Sequence, residues 1–183
     1  MTPRLPALGI IGVILALAAC GKVYDKQPVA AAGGAAPPVV APSDTTKVTE
    51  DAARRTDTRT GSAGCSIDTL NGMTAVNRMS ADLTKPVTFV GWAIDKAGGE
   101  PPSAVAIVLE SDTASYSAPA KIGLPRRDVA EALQDPRLGN SGYRLAADVS
   151  ALPEGTYRLA IFITDSGGVK RCNLPRSLTL AKH

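Results

Sequence analysis

Three cysteines, one histidine and seventeen carboxylates are what this chain offers for covalent, acid–base or metal chemistry. The histidine is the last residue, His183, and a terminal imidazole is poorly placed as the general base that a Ser-His-Asp or Cys-His hydrolase requires. Glycoside hydrolysis needs two carboxylates held about 5–10 Å apart in a cleft. The acids Asp68, Asp95, Glu110 and Asp112 stand beside turn residues or strand ends, where solvated carboxylates are ordinary. Gly98-Gly99 and Gly167-Gly168 fall in expected hairpin turns, not ahead of helices, so they do not read as phosphate loops. The turn at Asp165 offers few acidic ligands for calcium. These patterns assign no catalytic residue, metal or cofactor, and the expectation is a protein that is not an enzyme.

Residues suited to binding are few. Tyr116 stands between Ser115 and Ser117, the pattern of an exposed aromatic, and with Asp112 nearby it is the expected place for a sugar to stack. Arg127 and Asp128 are a second candidate, either a ligand-facing polar pair or, more often in such a position, a clamp that fixes a helix start to a sheet. Trp92 has apolar strand neighbours on both sides and is expected in the core. Two Phe, four Tyr and one Trp are too few stacking groups, and the basic residues too scattered, for a nucleic-acid-binding face.

The N-terminus explains the third cysteine. Residues 1–6 carry one charged side chain, Arg4, and residues 7–16 are almost purely apolar, the layout of a secretory signal peptide. The apolar run ends at Ala19, short of the roughly 20 residues a comfortable membrane span needs. Leu17-Ala18-Ala19-Cys20, followed by Gly21, resembles the lipobox of bacterial lipoproteins. That resemblance implies cleavage after residue 19, acylation of Cys20 (a diacylglyceryl group and palmitate-type chains) and a stable membrane anchor, since multiple acyl chains hold where one binds marginally. The absence of aspartate at residue 21 implies the outer membrane ahead of the inner. The alternative is an ordinary cleaved signal and a soluble periplasmic protein.

Three segments follow: a signal peptide, 1–19; a lipidated N-terminus and disordered Ala/Pro/Thr-rich tether, 20–63; and a domain, 64–183. The tether holds Pro28, Pro37, Pro38 and Pro42 and one aromatic, Tyr24, too little apolar surface to offset the entropy of ordering. As a coil of about 40 residues it would span roughly 35 Å.

The domain has strand signals at short spacing with turns between, the mark of an all-β sandwich or barrel. Strands are expected at 87–94, 104–109, 114–121, 142–149, 156–164, 169–174 and 177–180, with one short helix at 127–134 and a hairpin turn at 165–168. The run 87–94 reads as a central strand buried on both faces. Tyr143, Leu145, Ala147 and Val149 share one face of their strand, as do Tyr157, Leu159, Ile161 and Ile163 of theirs. If Cys20 is acylated, Cys65 and Cys172 remain, one at each end of the domain, and in an exported protein such a pair is expected to form a disulfide. A redox or metal site is the other reading, without a Cys-x-x-Cys to favour it.

The series Gly91-Trp92-Ala93-Ile94-Asp95, Arg127-Asp128-Val129-Ala130, Ser141-Gly142-Tyr143 and Leu152-Pro153-Glu154-Gly155-Thr156-Tyr157 resembles small β-sandwich modules found in bacterial surface proteins and beside some glycosyltransferases. Arg126-Arg127 departs from the Arg-Pro pair usual there. The resemblance implies an immunoglobulin-like or jelly-roll-like antiparallel accessory module. The expected role is therefore binding or structural contact in the envelope, with protein partners ahead of glycans such as peptidoglycan or surface polysaccharide.

Overall fold

The computed structural model describes residues 45–50, 63–95 and 99–183. The expected signal peptide, Cys20 and most of the expected tether lie outside the described residues. The fold is all-β. Its strands are β1 (Thr45–Lys47), β2 (Thr49–Glu50), β3 (Ala63–Leu70), β4 (Met73–Thr74), β5 (Arg78–Asp82), β6 (Val87–Asp95), β7 (Ala104–Glu110), β8 (Ser115–Leu124), β9 (Gly142–Asp148), β10 (Gly155–Asp165) and β11 (Gly168–Ala181). One short helix, α1 (Arg127–Ala132), and a 3-10 turn (Pro136–Asn140) separate β8 from β9. Among the described residues the strands form one curled sheet ordered β4-β3-β6-β9-β8-β7-β10-β11-β5, with β1 beside β9 and β2 beside β8.

Period-two alternation builds the inner face. Tyr143, Leu145, Ala147 and Val149 are buried, as are Tyr157, Leu159, Ile161 and Ile163, and they meet Ile67, Phe89, Ile107, Leu178 and Leu180 in one core. In β6 only Ala93, Ile94 and Asp95 are buried in succession. Earlier in the strand Val87, Phe89 and Gly91 face inward, whereas Thr88, Val90 and Trp92 are half-buried on the outer face. The expected two-sided burial of that strand is thus confined to its end, because the outer face of this half of the sheet is largely open. The other half does bury its outer face: Ala106, Val108, Ala160 and Phe162 form a second cluster there with Val169.

Three segments carry the chain from one half of the curl to the other. β8 pairs with β7 through Ala120 and then with β9 from Lys121. Its register breaks at Gly123, whose φ of +85° suits glycine. Thr45–Glu50 follows the same course, with β1 parallel to β9 and β2 antiparallel to β8. Val48, between them, is buried, and its N–H donates to the Asp148 carbonyl at 3.2 Å. Within the segment 20–63 expected as a tether, the described residues Thr45–Glu50 are docked as strands. Its composition could not build a core alone, but an edge strand needs only backbone partners and one apolar side chain. Residues 73–82 close the opposite side, β4 pairing with β3 and β5 with β11.

Cys65 on β3 and Cys172 on β11 form a disulfide, Cα–Cα 6.3 Å, across 107 residues of sequence. It ties together the two ends of the curl, which hydrogen bonding alone leaves joined through the short β4–β5 segment. In the chain-entropy model a loop of that length is worth about 4–5 kcal/mol. The helix ends at Ala132, before the expected residue 134, because Gln134 adopts φ +54° and Pro136 follows. Asn71 and Gly72, both at positive φ, make the two-residue turn between β3 and β4.

Candidate functional site

The structure separates Tyr116 from Asp112. Tyr116 lies opposite Leu109 on the inner face and packs edge-on against Tyr157, ring centroids 6.0 Å apart. It is no exposed platform. Ser115 and Ser117 are the buried outer-face neighbours, so the alternation expected around Tyr116 holds with its sense reversed. The Tyr157 hydroxyl donates to the Pro153 carbonyl at 2.6 Å, and burial raises its pKa. Asp112 is exposed in the β7–β8 turn, 3.4 Å from Arg158 Nη1, and with Glu110, Ser111 and Arg158 it lines a shallow open groove.

Arg127 and Asp128 do not pair with each other. Arg126 takes Asp128 in a two-pronged contact, Nε–Oδ1 2.9 Å and Nη2–Oδ2 2.7 Å, and holds Asp68 through Nη1 at 2.6 Å. Arg127 itself is exposed. The clamp expected at the helix start exists, but its cation is the preceding arginine. Asp68 stands at a register break in β3, where the extra residue of a bulge turns its side chain towards α1. The hydrogen bonds from Arg126 hold the Asp128 carboxyl down to about 2, and the same contact raises the pKa of Arg126.

Asp95, Asp165 and Glu110 are fastened as well. Lys170 Nζ bridges Asp165 Oδ2 at 2.7 Å and Asp95 Oδ1 at 2.8 Å, and its pKa is raised by Asp165 first and Asp95 second. Arg171 meets Glu110 with two contacts of 2.5 Å. Neighbours in a strand point to opposite faces, so Lys170 and Arg171 serve different acids. Lys170 shares the face of Ile163, while Arg171 shares that of Phe162. These pairs are geometry for fastening. Among the described residues no three His, Cys, Asp or Glu side chains gather to hold a metal ion.

Trp92 is the departure with the largest functional consequence. The inner position beside it must be Gly91, because the Tyr143 hydroxyl crosses there to donate to the Ser66 carbonyl at 2.9 Å. A Cβ on Gly91 would stand 2.6 Å from the Tyr143 hydroxyl. Trp92 is thereby put in phase with Val90 on the outer face, flanked in register by Ser66 on β3 and Gly142 on β9. The row below it runs Thr69, Val90, Arg144, Lys121 across four strands. Sequence reasoning did not single out Lys121 or Arg144, although the polar positions of β9 carried the signal. Comparison with protein-family models, with curated proteins and with solved structures gave no match, so function is argued from these residues alone.

Proposed function

We propose that this chain is a lipoprotein of the bacterial envelope, acylated on Cys20, whose all-β domain makes binding or structural contacts and performs no catalysis. The observation that carries this is the fate of the cysteines. Cys65 and Cys172 consume each other in the disulfide, so of three thiols only Cys20 is left to react, and it stands directly after an apolar leader. A covalent tie between sheet ends also suits an oxidising compartment. The contact role draws support from the acids: Asp68, Asp95, Glu110 and Asp112 each face a cation, an arrangement that fixes elements in place.

Acyl labelling in intact cells tests the anchor. Wild-type protein should take up labelled palmitate, and globomycin should make a precursor longer by residues 1–19 accumulate. Cys20→Ser should abolish labelling and release the domain from the membrane fraction. Unchanged processing with globomycin, together with membrane association that survives Cys20→Ser, would overturn the reading.

A further inference from the structure

We propose that the outer face of β3-β6-β9-β8, centred on Trp92, binds an acidic polysaccharide of the envelope. The choice of an envelope source rests on the function proposed above; the chemistry of the face does not. Trp92 is the only tryptophan in the chain, and it stays partly exposed on a sheet face whose neighbours in register, Ser66 and Gly142, are small. The Ser66 side leaves room beside the indole for a sugar ring, whereas Arg126 and Leu124 fill the Gly142 side, each with a side-chain carbon 2.9 Å from where a Cβ on Gly142 would stand. Its indole N–H has no hydrogen-bond partner among the described residues, leaving a donor for a ligand hydroxyl. Hydroxyls of Ser66, Thr69 and Thr88 share the face.

Charge selects the kind of glycan. Lys121 and Arg144 lie directly opposite each other in register, one row from Trp92, and both are exposed. Like charges so placed repel, and neither has a carboxylate partner among the described residues. The nearby acids Asp68 and Asp128 are already held by Arg126. An anionic group docked over Lys121 and Arg144 would relieve that repulsion while a sugar ring covers the indole. Arginine in particular offers a planar fork that matches a carboxylate.

The test uses the full chain in detergent, titrated with polyuronate, with uncharged dextran and polyglutamate as controls and with anionic vesicles in a separate arm. Trp92, as the single indole, reports its own occupancy by fluorescence. Polyuronate should change the emission and dextran should not. Lys121→Gln/Arg144→Gln should weaken polyuronate binding about tenfold or more, the size of one lost hydrogen bond to a charged group, and Trp92→Ala, titrated by calorimetry because it has no indole to report, should weaken it by a similar factor. Trp92→Phe, which keeps a ring, should recover part of the loss, and the exposed Lys121 and Arg144 pair can be changed without touching the core. Three results would overturn the proposal: no emission change at low salt, affinity that survives the paired substitution, or equal response to polyglutamate or vesicles, which would make the face a general anion surface. Membrane association that survives Cys20→Ser and processing unchanged by globomycin, with polyuronate binding intact, would defeat only the anchor.

Discussion

Substituting Gly91 by alanine should be among the most damaging single-methyl changes in this domain. The new Cβ would point at the Tyr143 hydroxyl, 2.6 Å away, and into the Ser66 carbonyl that accepts its hydrogen bond. Neither neighbour can easily give way: Ser66 is backbone in a paired strand, and Tyr143 is fully buried. Overpacking costs about 1–3 kcal/mol, and a buried hydroxyl and carbonyl forced apart cost about 1–3 more. The expected loss is therefore about 2–6 kcal/mol, a large share of the 5–15 kcal/mol typical of a domain. At roughly 4 °C per kcal/mol for this size, the thermal midpoint should fall by about 8–24 °C. Tyr143→Phe alone should cost about 1–3 kcal/mol. The Gly91→Ala/Tyr143→Phe pair should cost clearly less than the sum, because both changes break the same contact. Calorimetry or circular dichroism on the four proteins measures all of this. A midpoint within about 2 °C of wild type for Gly91→Ala, or strict additivity in the pair, would refute the crossing of Tyr143 over Gly91.

Other expectations follow from the same geometry. Cys65→Ser/Cys172→Ser, or reduction, should lower stability by about 4–5 kcal/mol, read as a drop in midpoint that reductant produces in wild type and not in the double variant. Val48→Asp should undock Thr45–Glu50, and limited proteolysis should then cut ahead of Ala63 while the remainder of the domain stays intact. Ser141 Oγ is buried without a hydrogen-bond partner, so Ser141→Ala should be neutral or stabilise by up to about 1 kcal/mol in denaturant unfolding. Asp128 is held at about 2 by Arg126. A depressed carboxyl contributes stability above its unfolded pKa near 4, and this contribution is lost as pH falls from about 4 through 2. Asp128→Asn should flatten that part of the acid limb in a stability–pH profile.

The long alternating strands were legible because each carries its own face. Tyr143 to Val149 and Tyr157 to Ile163 point inward as their spacing demands. Cys65 and Cys172 could be paired from their number and position. What alternation does not supply is which phase faces the core. For Tyr116 and Trp92 that was decided by contacts remote in sequence: the ring of Tyr157 for the first, the phenol of Tyr143 above Gly91 for the second. Arg126 displaced Arg127 from the clamp because its side chain reaches both Asp68 and Asp128, and Asp68 is 58 residues away. The Asn71-Gly72 turn carries a local signal, an Asn-Gly pair at positive φ. Thr45–Glu50 had no local signal, since its hydrogen-bond partners belong to β8 and β9.

The docking of Thr45–Glu50 also sets where a mechanical load enters the molecule. Tension arriving from the N-terminal side meets the domain first at Thr45, on two strands of three and two residues. Those are the shortest pairings on the route, so they should yield first. Their release would pay out the stretch between Thr45 and Ala63, roughly 60 Å at full extension of about 3.3 Å per residue. Further unravelling would then stop two residues into β3, where Cys65 is bonded to β11. A brief pull would thus be absorbed as extension, with the core behind the crosslink left unstrained.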